Sequence, residues 1–140
     1  GSEFLERFQE KKKLPLITSC SPGWVKRVEQ FYPELIPNLS TCKSPMSMMG
    51  SLIKSYFAEK INRKPEEIAS IAIMPCTAKK YEANREELYF EGTPAVDYVL
   101  TTREIAWMIK SAGIDLPNTK GRGFDAPLGL SSGAGAIFGV

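Results

Sequence analysis

Three cysteines are the residues of this sequence best suited to chemistry, because the chain contains no histidine. Cys76 follows an isoleucine-rich run, residues 68–73, of the kind typical of a strand buried on both faces. Pro75 has no N–H to donate, so we expect the strand to end there and Cys76 to lie at its carboxyl end, where open α/β sheets place their sites. Lys79 follows one helical turn later, and a thiolate beside an ammonium suits a metal centre with small anionic ligands. The alternative is a buried structural cysteine with lysines in solvent.

The other two cysteines lie next to predicted helix starts. Cys20 comes between an apolar run, residues 14–18, and Pro22, which suits the first position of a helix. A helix N-terminus stabilises a thiolate, which can serve as a metal ligand or acid–base group, whereas the alternative is a structural turn residue. Cys42 precedes a Ser-Pro pair, residues 44–45, and taken alone it is typical of a small buried hydrophobe.

Hydrophobic periodicity predicts the elements that hold these cysteines. The predicted helices run from Ser2 to Lys11, from Pro22 to about Tyr32, from about Met46 to Ile61 and from Arg103 to Ala112. Ser2, Ser44 and Thr102 are the expected N-caps, and Gly113 is the expected stop of the last helix. The methionine-rich side of the third helix is interpreted as core filling.

Apolar runs at 14–18, 68–73 and 96–101 are predicted strands that alternate with the helices. This alternation predicts an α/β fold, a parallel sheet with flanking helices. Residues 83–94 and 117–129 are interpreted as loops. The glycines of the final segment, 131–140, permit close backbone approach.

Length, charge and cysteine number bound the class of protein. The 140 residues suffice for one modest domain, and the net charge of +2 gives no argument for nucleic acid or a membrane surface. An odd, sparse set of cysteines does not make a secreted disulfide framework, and it favours a reducing cytoplasm. No 18-residue apolar run and no signal peptide is found, so we expect no membrane span.

Five blocks of sequence resemble one known family. They are TSCSPGW (18–24), NLSTCKSP (38–45), MPCTAKKYE (74–82), VLTTRE (99–104) and SSGAGAIFG (131–139). In order and spacing they are similar to the catalytic domain of iron-only (FeFe) hydrogenases, over the whole of residues 1–140. The resemblance implies reversible reduction of protons to H2 at an H cluster. That cofactor is a 4Fe-4S cubane joined through a cysteine to a di-iron centre bearing CO, cyanide and an azadithiolate bridge.

The resemblance also implies roles for individual residues. Cys76 matches a cubane ligand and Lys79 a donor to cyanide, while Glu82 matches a supporting glutamate. Met74, Ser44 and Pro45 match residues that face the di-iron centre, and Met46 stands where a glutamine is common. Cys20, Ser40 and Glu3 match members of the family's proton path, whose further carboxylate would precede Gly1.

Two departures from the family pattern matter. Ser21 stands where the family has a second adjacent cysteine that ligates the cubane, and we hypothesise that Cys20 or Cys42 supplies the missing thiolate. The family's last block, with two further cysteines including the bridging one, has no counterpart in the sequence. Residues 1–140 are therefore interpreted as the N-terminal and middle part of the H-cluster domain, and we expect no H2 turnover from this piece alone.

Several functions stay open at this point. The leading one is a hydrogenase catalytic subunit in a multi-subunit complex linked to NAD(P) or ferredoxin. Its expected partners are electron-transfer subunits or ferredoxin and the remaining part of the subunit, with no nucleic acid. The alternatives are a non-catalytic relative that assembles cytosolic iron–sulfur proteins, a sensory hydrogenase, and an unrelated α/β binding domain.

Overall fold

The computed structural model describes residues 1–123 and residue 125, in which helices surround a short parallel sheet. The helices are α1 (Ser2–Glu10), α2 (Pro22–Phe31), α3 (Pro45–Leu52), α4 (Ala58–Lys60), α5 (Ala78–Ala83) and α6 (Thr102–Ser111), and the strands are β1 (Ile71–Ile73) and β2 (Tyr98–Leu100). A π-helical segment, Ile53–Phe57, joins α3 to α4, and 3-10 turns occur at Pro33–Asn38, Pro65–Glu67, Glu86–Leu88 and Leu116–Asn118. The predicted α/β class is confirmed. The glycine-rich block at 131–139 lies outside the described residues.

The sheet positions the turn that carries Cys76. β1 and β2 pair in parallel, with Ile71 opposite Tyr98 and Ile73 opposite Leu100. The N–H of Met74 donates to the carbonyl of Leu100 at 2.9 Å, after which the proline-containing turn ends the pairing. Both strands are shorter than predicted. The predicted strand at 14–18 was wrong, because its paired part is a single parallel bridge between Ile17 and Leu39.

Only one face of β1 is covered by the described part of the chain, so the prediction of burial on both faces was wrong here. The side chains of Ile71 and Ile73 are 58% and 53% exposed. Ala72, between them, packs against a core of Met46, Val96 and Val99. The described sheet has two strands with α3 on one side, which leaves the other side open.

The helix that follows Ser44 buries a narrow stripe of small and polar residues. Its buried members are Met46, Ser47, Gly50, Lys54 and Ala58, at helical spacing. The prediction that the methionine-rich side fills the core was therefore wrong in large part. Four of its residues are 42–50% exposed: Met48, Met49, Leu52 and Tyr56. The reason is a close approach: a Cβ added at Gly50 would lie 2.5 Å from the carbonyl oxygen of Ala95.

Local capping was predicted with mixed success. Ser44 is the N-cap of α3 and accepts from the N–H of Ser47, as predicted. Gly113, with φ 69°, stops α6 as predicted, but the N-cap of α6 is Thr101 instead of Thr102. Ser2 lies inside α1, whose N-cap is Gly1. In the described part of the chain, no helix has the length and apolar character needed to cross a membrane.

Candidate functional site

Lys79 lies at the centre of the candidate site. It is in the first turns of α5 and is only 6% exposed. Its Nζ donates to the carbonyl oxygen of Cys20 at 2.8 Å and to Oε2 of Glu82 at 2.7 Å. Its N–H donates to the carbonyl oxygen of Cys76 at 3.2 Å. The turns that carry Cys20 and Cys76, far apart in sequence, therefore meet at one residue, Lys79.

The carboxylate of Glu82 is compensated from two sides. It is 4% exposed, and its Oε1 accepts from the hydroxyls of Ser44 and Ser47, the latter at 2.6 Å. Its Oε2 accepts from the Nζ of Lys79, so each carboxylate oxygen of Glu82 has a hydrogen-bond donor. Ser47 was missed by the sequence interpretation, although its place three residues after a helix cap was a usable signal. We call Lys79, Glu82, Ser44 and Ser47 the lysine group.

The two methionines line an apolar cavity beside the lysine group. Met46, 8% exposed, belongs to the core, and Met74 packs against that core. Both line a cavity of about 200 Å³ between α3 and β1. Pro45 is the first residue of α3 and is exposed. The structure thus places the predicted cofactor-facing residues on one helix start and one strand end.

A second polar group surrounds Glu3. Its Oε2 accepts from the hydroxyl of Ser40 at 2.6 Å and its Oε1 accepts from the N–H of Thr41 at 3.1 Å. The hydrogen bond from Ser40, then that from Thr41, and the neighbouring guanidinium of Arg7 lower the pKa of Glu3 from 4.5 to about 2. Ser40 and Glu3 were predicted together and lie together.

Arg7 is a site residue that the sequence interpretation missed. It is 9% exposed and pairs with Glu3 at 2.6 Å. It also donates to the backbone carbonyls of Lys13, Pro37, Asn38 and Leu39. The i, i+4 spacing of Glu3 and Arg7 was the available signal.

Cys42 joins the group around Glu3. Its Sγ lies 3.9 Å from Oε2 of Glu3, and its N–H donates to the hydroxyl of Ser40 at 3.2 Å. Its carbonyl accepts from Ser19, next to Cys20, at 2.8 Å. A cavity of about 310 Å³ is lined by Ser40 and Cys42 on one side and by Ser44 and Glu82 on the other, so it lies between the two polar groups.

The three cysteines were predicted as metal ligands. All are free and exposed. Within the residues that the structure describes, no three His, Cys, Asp or Glu side chains are grouped closely enough to hold a metal ion. Iron–sulfur clusters prefer thiolate ligands, so the chemistry of these side chains fits such a cluster. Ligation by Cys76, Cys20 or Cys42 stays a prediction.

Comparison with known proteins identifies the family. The family model for the iron-only hydrogenase large subunit, C-terminal domain, matches residues 1–140. The periplasmic Fe hydrogenase large subunit of Nitratidesulfovibrio vulgaris is 50% identical over 142 residues, which cover 100% of this chain and 34% of that protein. The NADP-reducing hydrogenase subunit HndD of Solidesulfovibrio fructosivorans is 45% identical, covering 100% of this chain and 25% of that subunit.

A protein named for another role is also similar. The cytosolic Fe-S cluster assembly factor narfl of Xenopus tropicalis is 41% identical over 121 residues, covering 81% of this chain and 25% of that protein. Among solved structures, a variant of apo FeFe hydrogenase HydA1 from Chlamydomonas reinhardtii superposes with a TM-score of 0.86 at 41% identity. That match covers 96% of this chain and 34% of the other.

The chain spans a quarter to a third of the length of these relatives. The match of the family model extends over every residue of the chain, and the predicted resemblance is confirmed. This chain belongs to the family of iron-only hydrogenase large subunits, within their C-terminal domain.

Proposed function

We propose that this chain is part of the catalytic domain of an iron-only hydrogenase and forms one wall of its H-cluster pocket. The observation that carries the proposal is the position of Lys79, whose buried ammonium donates to the carbonyl of Cys20 at 2.8 Å and whose backbone N–H donates to the carbonyl of Cys76 at 3.2 Å. A buried cation is costly unless an anion accompanies it. Glu82 supplies one anion, and a small anionic ligand at the cysteine turns would be a second.

The family resemblance and the positions of the site residues support a role for each of them. Lys79 would donate to a cyanide, and Cys76 would ligate the cubane, with Cys20 or Cys42 in place of the serine at position 21. Ser44, Pro45, Met74 and Met46 would form the wall beside the di-iron centre, and Glu82 would hold Lys79 in place. The bound cluster would supply the electron chemistry, the reversible reduction of protons to H2.

The group around Glu3 would carry protons to the pocket. Transfer needs donors and acceptors within hydrogen-bond reach or one water apart. Ser40 donates to Glu3 at 2.6 Å, and the cavity of about 310 Å³ has room for water between Ser40 and Glu82. With a pKa of about 2, Glu3 is ionised at neutral pH and accepts the hydrogen bond of Ser40 as a carboxylate. The thiol of Cys20 would be the last group of this proton path.

A second candidate is an iron–sulfur assembly protein without the di-iron centre. The similarity to the assembly factor supports it. The charge of Lys79 favours the hydrogenase, whose di-iron centre carries cyanide ligands that a charged donor can bind. The assembly protein, with a cubane alone, has no cyanide for such a donor.

The partners and the cellular location are proposed from the relatives and from the cysteine content of the chain. The relatives named as hydrogenase subunits support electron-transfer subunits or ferredoxin as partners, beside the remaining part of the same subunit. Sparse, unpaired cysteines support the cytoplasm. Because one relative is named as periplasmic, the compartment should be determined by cell fractionation.

The test uses the full-length subunit that carries this chain, matured with the di-iron cofactor. We expect infrared bands of CO and cyanide together with H2 evolution from reduced methyl viologen. In Lys79→Met the cyanide bands should shift or disappear. They should persist in Lys80→Met, whose 2.7 Å ion pair with Glu104 is exposed.

Other outcomes separate the alternatives. Cubane absorption without CO or cyanide bands would refute the hydrogenase and favour the assembly protein. If the Cys42→Ala variant retains the full iron content of the cubane, Cys42 is excluded as a ligand. Residues 1–140 alone should show no turnover, and clear activity would contradict the interpretation of this chain as a partial domain.

A further inference from the structure

Lys54 is a buried charge that the proposed catalytic site does not use. Its side chain is 1% exposed, and it lies on the buried stripe of the helix that starts at Ser44. Its Nζ is 2.8 Å from Oδ2 of Asp97 and donates to the carbonyls of Pro65, at 3.2 Å, and Ile68. Burying an ammonium this deeply is costly, and all of its partners lie on segments that flank β1 and β2.

Asp97 connects Lys54 to the first residues of the sheet. Its Oδ2 accepts from the N–H of Ser70 at 2.7 Å and from the Ser70 hydroxyl at 3.1 Å. The carbonyl of Ser70 in turn accepts from the N–H groups of Asp97 and Tyr98, at 3.0 and 3.2 Å. Partial burial opposes ionisation of Asp97, but the bonds from Lys54 and Ser70 leave its pKa below the usual value.

The close approach of the helix makes this contact possible. Gly50 faces the segment that contains Ala95, where the carbonyl accepts from the Ser70 hydroxyl at 2.8 Å. One turn further, a π-helical segment begins at Ile53 and carries Lys54. π-helical segments are rare and frequently accompany functional sites.

The two ends of this helix hold two parts of the candidate site. Its start, Ser44 and Ser47, fixes Glu82 and through it Lys79. Its π-helical segment, through Lys54, fixes the beginning of β1, and Cys76 is the third residue after β1. One helix, anchored at both ends, therefore holds the segments on either side of the turn that carries Cys76.

We propose that Lys54 is a positioning residue: with Asp97 and Ser70 it clamps the start of β1 and so sets the place of the turn that carries Cys76 and Lys79 relative to the start of the helix at Ser44. The inference rests on the proposed function for its consequence at the cofactor. The clamp itself does not depend on that function and can be measured without any metal.

The first experiment is hydrogen exchange on the full-length apo-subunit with Lys54→Met. We expect the amides of Asp97, Tyr98 and Met74 to exchange at least about tenfold faster, because a buried pair that loses one partner is strongly destabilised. Amides of α6 should change less. Arg63→Met is the matched control, since its 3.5 Å pair with Glu67 lies nearby but is exposed. If Lys54→Met does not fold, Asp97→Asn decides, because it keeps an acceptor for Ser70 and removes the anion.

The second experiment is infrared spectroscopy of the same variants loaded with the di-iron cofactor. Lys54→Met should broaden or shift the cyanide bands, and Arg63→Met should leave them unchanged. Equal acceleration at the amides of Asp97, Tyr98 and Met74 and at those of α6, or no change in either set, would overturn the clamp. Faster exchange at these three amides with unchanged cyanide bands would overturn the positioning role. A wild-type subunit without such bands would instead refute the proposed function, and the exchange result would still decide the clamp.

Discussion

Replacing Glu82 by glutamine should selectively loosen the candidate site. In this variant the amide oxygen can accept from the Nζ of Lys79, where Oε2 of Glu82 now accepts at 2.7 Å, while the amide NH2 faces the serine hydroxyls, which can also accept. Lys79 would then keep its hydrogen bonds but lose the negative charge beside its buried ammonium. Removing one partner of a buried ion pair costs about 3–5 kcal/mol, and the loss of the charge from a pair this deeply buried places this case at about 4 kcal/mol.

Local hydrogen exchange in the full-length apo-subunit measures this cost. Since about 1.4 kcal/mol corresponds to a factor of ten, amides of α5 should exchange several hundredfold faster in Glu82→Gln. Glu104→Gln is the matched control, because Glu104 pairs with Lys80 at the same 2.7 Å but both side chains are more than 40% exposed. We expect no measurable change there. Equal effects of the two substitutions would refute the argument from burial.

Three further changes have expected outcomes of their own. Gly50→Ala should lower the free energy of unfolding by about 2 kcal/mol or more, because the added Cβ would lie 2.5 Å from a backbone oxygen, whereas Gly23→Ala, with open space around it, should be tolerated in the same denaturation assay. Since the pKa of Glu3 is lowered from 4.5 to about 2, its stabilising contribution is present above pH 4.5 and is lost as the pH falls toward 2; Glu3→Gln should remove that part of the pH dependence in acid titrations, and an unchanged profile would contradict the assignment. Thr101→Ala should destabilise α6 by about 1 kcal/mol in urea unfolding, and Thr102→Ala by clearly less, because Thr101 caps the helix.

The features predicted correctly from the sequence are those set by neighbours along the chain. Pro22 starts α2, Ser44 caps α3, and Gly113 ends α6. Each depends on the stereochemistry of one residue and its adjacent backbone, which the sequence contains in full. The residue that caps α6 was misplaced by one position because two threonines adjoin there and both suit the role.

Burial was predicted less well, because it depends on which elements cover a surface. Isoleucines at 71 and 73 have the composition of a buried strand, yet the described chain covers only the face that carries Ala72. The methionines of the third helix were predicted to fill the core. The close approach of Gly50 to Ala95 instead places a stripe of small and polar side chains on the buried side of this helix.

By itself the sequence determined the α/β class, the positions of the cysteine turns and the family, because these depend on local stereochemistry and on blocks in fixed order. Only the tertiary structure decided that the turns of Cys20 and Cys76 meet at Lys79, and that Arg7 and Lys54 are buried and paired with partly exposed carboxylates. Burial of a charge is settled by partners brought from distant segments. Neither the residue type nor the local pattern specifies which carbonyls and carboxylates those partners are.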